Sequence, residues 1–180
     1  MKTRIESNEV LYAEDPIVSV SYDDVEWLKQ KGKINLSGRI RLCSHPALTN
    51  KLHEMIIILR KNAFVQPHKH PQKSESIHII EGVADVVVFN DDGIINQILP
   101  LGDYGSGRKF YCRMNSTVFH TLLTRSDYLI FHETINGPFK KDISQFPPWS
   151  PAISDPDGCK RYVEQLNESV ARFIMNNKED

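Results

Sequence analysis

Three histidines and one glutamate are the residues of this chain best suited to chemistry. His68, His70 and Glu75 fall within eight residues of one another in NAFVQPHKHPQKSESIHIIEG, and a further histidine, His120, lies in TVFHTLL. Three neutral imidazoles and a carboxylate can ligate one divalent transition metal ion; iron, manganese, nickel, zinc and copper all accept this set in some geometry. A six-coordinate ion held this way keeps two positions for water and substrate. It could polarise a carbonyl or hydroxyl or, if iron, activate dioxygen. Isomerisation and oxidation are both compatible with the ligand set.

Such ligands need rigid elements to aim them, and the sequence supplies strands. Side chains alternate across a strand, so His68 and His70 share a face. Pro71 to Ser74 makes a turn, after which Glu75, Ile77 and Ile79 share a face and His78 takes the opposite one. Val118, His120 and Leu122 again place one polar group among apolar neighbours. From about Leu36 to Glu133 the chain is a series of short strand-like runs: GRIRLCS, HEMIIILRK, FVQPH, ESIHIIEG, VADVVVFN, IINQILP, RKFYCRM, TVFHTLL and DYLIFHET. Asn90-Asp91-Asp92-Gly93 reads as a hairpin turn. Eight or nine strands without intervening helices predict an all-β sandwich or jelly roll.

Flanking this body, residues 1–35 read as an arm, of short strands or packed chain, followed by a helix over SYDDVEWLKQKG. Ser21 is its cap, Val25 and Leu28 its inner face, and Gly32 stands just past its end. Residues 36–139 form the β body. Residues 140–180 begin as an extended proline-rich wrap around Trp149. They end in a helix over CKRYVEQLNESVARFIMNNKED, whose Tyr162, Leu166, Val170 and Phe173 make one apolar face.

Bulk properties set the class. The 180 residues are 40% apolar and 25% charged with a formal net charge of -1, as in an ordinary globular domain. No basic stripe points to nucleic acid, and no run reaches the length of a membrane span. The start lacks the apolar core of a secretory signal. Three widely spaced cysteines argue against a disulfide framework and for a cytoplasmic protein.

The metal-ligand segment closely resembles the first cupin motif, G-x5-H-x-H-x4-E-x6-G: His68, His70, Glu75 and Gly82 stand at its positions. Asn62 replaces the first glycine, a mild change because Asn tolerates left-handed backbone angles. Of the second motif, G-x5-P-x-G-x2-H-x3-N, His120 alone is kept; Lys109, Asn115, Thr117 and Thr124 occupy the other marked positions. RIRLCSHP, LHEMIIIL, PHKHPQKSESIHIIEG, FHTL, HETINGPF and PPWSP, in that order, look like the WbuC family of cupin-fold metalloproteins over about Ser21 to Pro151. The resemblance implies a double-stranded β-helix, the cupin jelly-roll barrel, with a short N-terminal helix; the C-terminal helix lies outside it. It implies His68, His70, Glu75 and His120 as metal ligands, and a setting in O-antigen or other surface polysaccharide synthesis. It names no reaction. A sugar or sugar-derived small molecule is the expected ligand, turned over or simply bound with the metal as anchor. Cupin-like proteins commonly dimerise, so a homodimer is expected.

Other residues are candidates for the pocket. Arg39 and Arg41 share a strand face and offer a fork to a carboxylate or phosphate, or pair on the surface. Arg113, seven residues before His120, could look toward the metal. Cys43 and His45 share a face near a strand end, His45 with a pocket role. Of His53 and Glu54 at most one faces inward; Glu54 could partner a ligand histidine or sit at the rim. His132 and Glu133 pose the same choice, and the family resemblance favours Glu133. Tyr111, Phe119 and Trp149 read as packing residues.

Overall fold

The computed structural model describes residues 1–115, 117–139 and 144–177. The chain opens with a hairpin, β1 Thr3–Ser7 and β2 Val10–Ala13. Helix α1, Tyr22–Gly32, follows with a reciprocal cap. The Ser21 hydroxyl accepts from the Asp24 N–H, and the Asp24 carboxylate accepts from the Ser21 N–H. Leu28 is buried on its inner face and Val25 packs beside it. Gly32 is the last residue of the helix rather than the first beyond it. A Cβ there would lie 2.9 Å from Ile40 Cγ2, so the absent side chain lets the helix end close onto the sheet.

Eight strands follow: β3 Arg39–Cys43, β4 Leu52–Arg60, β5 Glu75–Glu81, β6 Val83–Phe89, β7 Ile95–Gly102, β8 Tyr111–Met114, β9 Phe119–Thr124 and β10 Tyr128–Asn136. They form two sheets, of order β1-β2-β3-β4-β10-β5-β8 and β7-β6-β9. The arm thus enters the larger sheet, with β2 running parallel to β3. The hairpin at Asn90–Gly93 joins β6 to β7, with Gly93 at φ 88°. FVQPH is not a strand. The chain there is irregular until His68, which exchanges both backbone hydrogen bonds with His120 and lies alongside β9.

The sheets pack face to face. Leu59, Ile77, Ile79, Leu129 and Phe131 of the larger meet Ala84, Val86, Val88, Leu101 and Leu122 of the smaller. Each of these side chains larger than Ala84 contributes roughly 1.5–3 kcal/mol through burial. The larger sheet is covered on its other face too, where Ile40, Leu42, Ile56, Ile58 and Ile130 pack under α1. Helix α2, Pro156–Asn176, starts three residues before the expected Cys159. It lays Val163, Leu166 and Val170 on Val87, Phe89, Phe119 and Leu123, the outer face of the smaller sheet. Trp149 packs between these elements, its indole N–H donating to the Asp91 carbonyl at 2.9 Å. This is a two-sheet jelly roll with a helix on each outer side.

Candidate metal centre

The site is built where three pieces of chain meet. Asn62 adopts φ 65° and turns the chain after β4. The following segment carries His68 and His70 inward, while Lys69 points out, its Nζ 4.3 Å from the Phe119 ring centroid and 3.0 Å from Asp91. Glu75 is the first residue of β5 and begins a face that continues through buried Ile77 and Ile79. His120, on β9, faces the same interior as Leu122. One ligand atom from each of His68, His70, Glu75 and His120 can be chosen so that all lie within 4.8 Å of one another.

The hydrogen bonds around the cluster fit a cation at that point. His68 Nδ1 lies 2.8 Å from the Gln66 carbonyl and His120 Nδ1 lies 3.1 Å from the Val118 carbonyl. Carbonyls only accept, so each ring donates from Nδ1 and turns an Nε2 lone pair inward. His70 Nδ1 is 3.1 Å from the Ser144 hydroxyl. The Glu75 carboxylate stands between two rings, 2.8 Å from His120 Nε2 and 3.2 Å from His70 Nε2. Yet His120 Nε2 is buried and forms no well-directed hydrogen bond. Lone pairs and a carboxylate converging without donors are the donor set a metal requires.

Burial and the Glu75 charge set the protonation of the cluster. Burial opposes charge on Glu75, but the contacts with His120 and His70 outweigh it and hold the carboxyl well below the usual range. Burial and the neighbouring His120 push His68 down to about 4, which keeps it a neutral donor at neutral pH. Burial would lower His120 as well, but Glu75 wins and raises it, so a metal would have to displace a proton from its Nε2. Ser144 was not legible as a participant, since nothing in its spacing marks it. Its hydroxyl steers His70, and Ser144→Ala is expected to weaken metal binding about tenfold with little change in the melting point of the metal-free protein. Competition against a chromophoric chelator measures this.

The other candidates divide by strand face. β10 pairs with β4 so that Glu133 stands opposite Met55, and with β5 so that it stands opposite Ile77; it therefore faces inward. Burial and the Glu75 charge push it up to about 7, with Arg41 opposing. Arg41 shares the inner face with Cys43, opposite Ile57. Arg39 also lies on that face, but its Nε is 2.6 Å from Glu9. Arg113 does not look toward the cluster. Cys112 and Met114 take the inner face of β8, and Arg113 is exposed with its Nε on Asn115. Glu54 likewise points away, on the face of β4 that packs under α1, 3.7 Å from His132. The inward residue of that pair is His53, opposite Ile135.

His45 is buried and stacks on His53, with centroids 4.0 Å apart and planes 3° from parallel, so it packs beside the site rather than within the ligand cluster. Burial lowers both imidazoles from the ordinary 6.5. The unfolded chain then binds protons that the folded chain refuses. Stability from this pair is complete above pH 6.5 and is lost as pH falls below it. Melting of chelator-treated protein should show a midpoint falling from pH 7 to pH 5, with a shallower slope in His53→Gln.

Residues 20–101 match a family described as a domain of unknown function, DUF6016. No curated protein matches the chain. Among solved structures, protein SO0799 from Shewanella oneidensis superposes with a TM-score of 0.52 at 12% identity, covering 73% of this chain and 88% of that one. An oxalate decarboxylase from Lactobacillus farciminis, in a formate complex, gives 0.43 at 18% identity over 54% of this chain. The capsular polysaccharide assembling protein CapF from Staphylococcus aureus gives 0.45 at 13% identity over 55%. This chain spans 27% of the length of each of the last two. Two packed, mostly antiparallel sheets, the motif residues gathered between them and the superposition on SO0799 together make this a cupin-fold jelly roll.

Proposed function

We propose that this chain is a metal-dependent cupin that takes a sugar or sugar-derived small molecule, in the setting its resemblance to the WbuC family suggests, the synthesis of a surface polysaccharide. The observation that carries the metal reading is the convergence of His68, His70, Glu75 and His120, with Nδ1 of His68 and His120 tied to backbone oxygens. A bound transition metal would supply Lewis acidity or, as iron, dioxygen chemistry. Four protein ligands would leave a six-coordinate ion room for water or substrate, as catalysis or ligand capture needs.

The chain's own groups have distinct tasks. His68, His70, Glu75 and His120 would hold the ion. Glu133, half-buried on the inner face beside the cluster, can give or take a proton at the ligand. Arg41 orients an anionic part of the ligand, and Met55, Ile57 and Ile135 limit water around it. The three free cysteines support a cytoplasmic setting, and we read the working form as a homodimer.

The test is metal analysis of protein purified without added ions, then a thermal-shift screen with sugars, sugar nucleotides and small organic acids. About one transition metal per chain, and a midpoint raised by a sugar-derived compound, are expected. A chain without metal overturns the first part. A ligand bound but not converted assigns the protein as a binding module.

A further inference from the structure

The inner face of the larger sheet carries several charges, and most are matched. Arg4 Nη1 lies 2.6 Å from Glu6, and Arg39 Nε lies 2.6 Å from Glu9. Arg41 and Glu133 remain. Both face inward, both are half-buried, and neither side chain has a hydrogen bond or an ion pair within 4.0 Å among the described residues. They flank the same strand: Arg41 is opposite Ile57 and Glu133 is opposite Met55, two residues along β4. That diagonal puts their backbones roughly 12 Å apart, from two strand spacings of about 4.8 Å and a two-residue offset of about 6.8 Å. The face around them is apolar: Tyr12, Cys43, Met55, Ile57 and Ile135.

Opposite charges held apart in a partly desolvated site are costly unless something joins them. In the strand order β3-β4-β10-β5, Glu133 on β10 stands between Glu75 on β5 and Arg41 on β3. A molecule that bridges the gap needs an anionic end for Arg41 and a hydroxyl for Glu133. A guanidinium binds a carboxylate through two parallel hydrogen bonds. One unmatched arginine suits one carboxylate; a doubly charged phosphate would leave a charge over beside two glutamates.

We propose that the site takes a hydroxy acid of the sugar-acid class, its carboxylate on Arg41 and a hydroxyl on Glu133. This rests on the metal-centre reading for the position of the reacting end. The experiment is titration calorimetry on the metal-loaded full chain with glucuronate, glucose and cyclohexanecarboxylate. Glucuronate should bind, and the other two at least about tenfold more weakly, since each lacks one of the two contacts. Arg41→Gln should lose about 10- to 100-fold in glucuronate affinity at unchanged metal content, with Arg41→Lys between. Equal binding of glucose or of cyclohexanecarboxylate overturns the proposal, as does an Arg41→Gln protein that binds glucuronate like the parent. A chain that holds metal and ignores glucuronate sinks this inference and leaves the metal centre. A chain without metal that still binds glucuronate through Arg41 does the reverse.

Discussion

His70→Ala is expected to leave the protein folded and strip it of metal. The ring is one of four groups within 4.8 Å, and its Nε2 lies 3.2 Å from Glu75. Removing it leaves three ligands and a gap that water can enter. Outer partners of metal ligands carry about 10- to 100-fold in affinity, and a direct ligand should exceed that. Metal per chain should fall from about one to below about one tenth after dialysis, for a site of ordinary affinity. The fold should survive, because His70 lies outside the strands, in the segment between His68 and β5. The metal-free melting points of parent and variant should therefore agree. His78→Ala is the control: that imidazole is on the outer face of β5 beside Phe110, and its loss should leave the metal in place. A His70→Ala protein that keeps a full complement of metal would move the ligand set elsewhere.

The second large effect is on stability. Gly82 joins β5 to β6 at φ 90°, where an added Cβ would run into the Tyr128 carbonyl oxygen and lie 2.5 Å from Ser126 Oγ. The backbone angle is strained for any L side chain, and the nearest obstacle is main chain that cannot swing aside. The site is also tied in by hydrogen bonds with Asp103 in both directions, at 3.2 Å and 3.1 Å. Gly82→Ala should cost about 3–5 kcal/mol, as large backbone and packing clashes do. That lowers the midpoint by roughly 6–20 °C for a chain of this size. Gly107 separates the two causes. It sits at φ 74° with open space for 4 Å around the point a Cβ would take, so Gly107→Ala should cost only about 1 kcal/mol. Scanning calorimetry of the two variants reads the difference, and equal losses would mean that crowding at Gly82 is relieved by movement of β10.

Much of the fold was legible because its cues are local. The Asn90–Gly93 turn, the Ser21 cap and the alternation of Glu75, Ile77 and Ile79 each follow from a few adjacent residues. Asn62 stands where the motif wants glycine, and its left-handed angle is why Asn serves there. The convergence of His68, His70, Glu75 and His120 was legible for the same reason, since motif spacing fixes their parity.

What stayed hidden was which face of a strand is inside. HEMIIILRK is apolar on both faces because α1 covers the second one, so period two cannot choose between His53 and Glu54 until the helix is placed. Arg113 failed differently. Cys112 and Met114, on either side of it, were the apolar set of a short strand, and closeness in sequence to His120 was a poorer guide than that pattern. Arg39 and Arg41 share a face, but Glu9, thirty residues from Arg39, claims only that one. Ser144 reaches His70 across 74 positions, a pairing that only the folded path creates.

The way the imidazoles are steered limits how this centre can change. His68 and His120 each take direction from a main-chain oxygen two places earlier, an anchor that no point substitution removes. Among the described residues, Nδ1 of His70 instead meets a side chain, Ser144. Within that described set, then, the aim of His70 is open to change by substitution at residue 144, while the other two rings keep theirs as long as the backbone keeps its course.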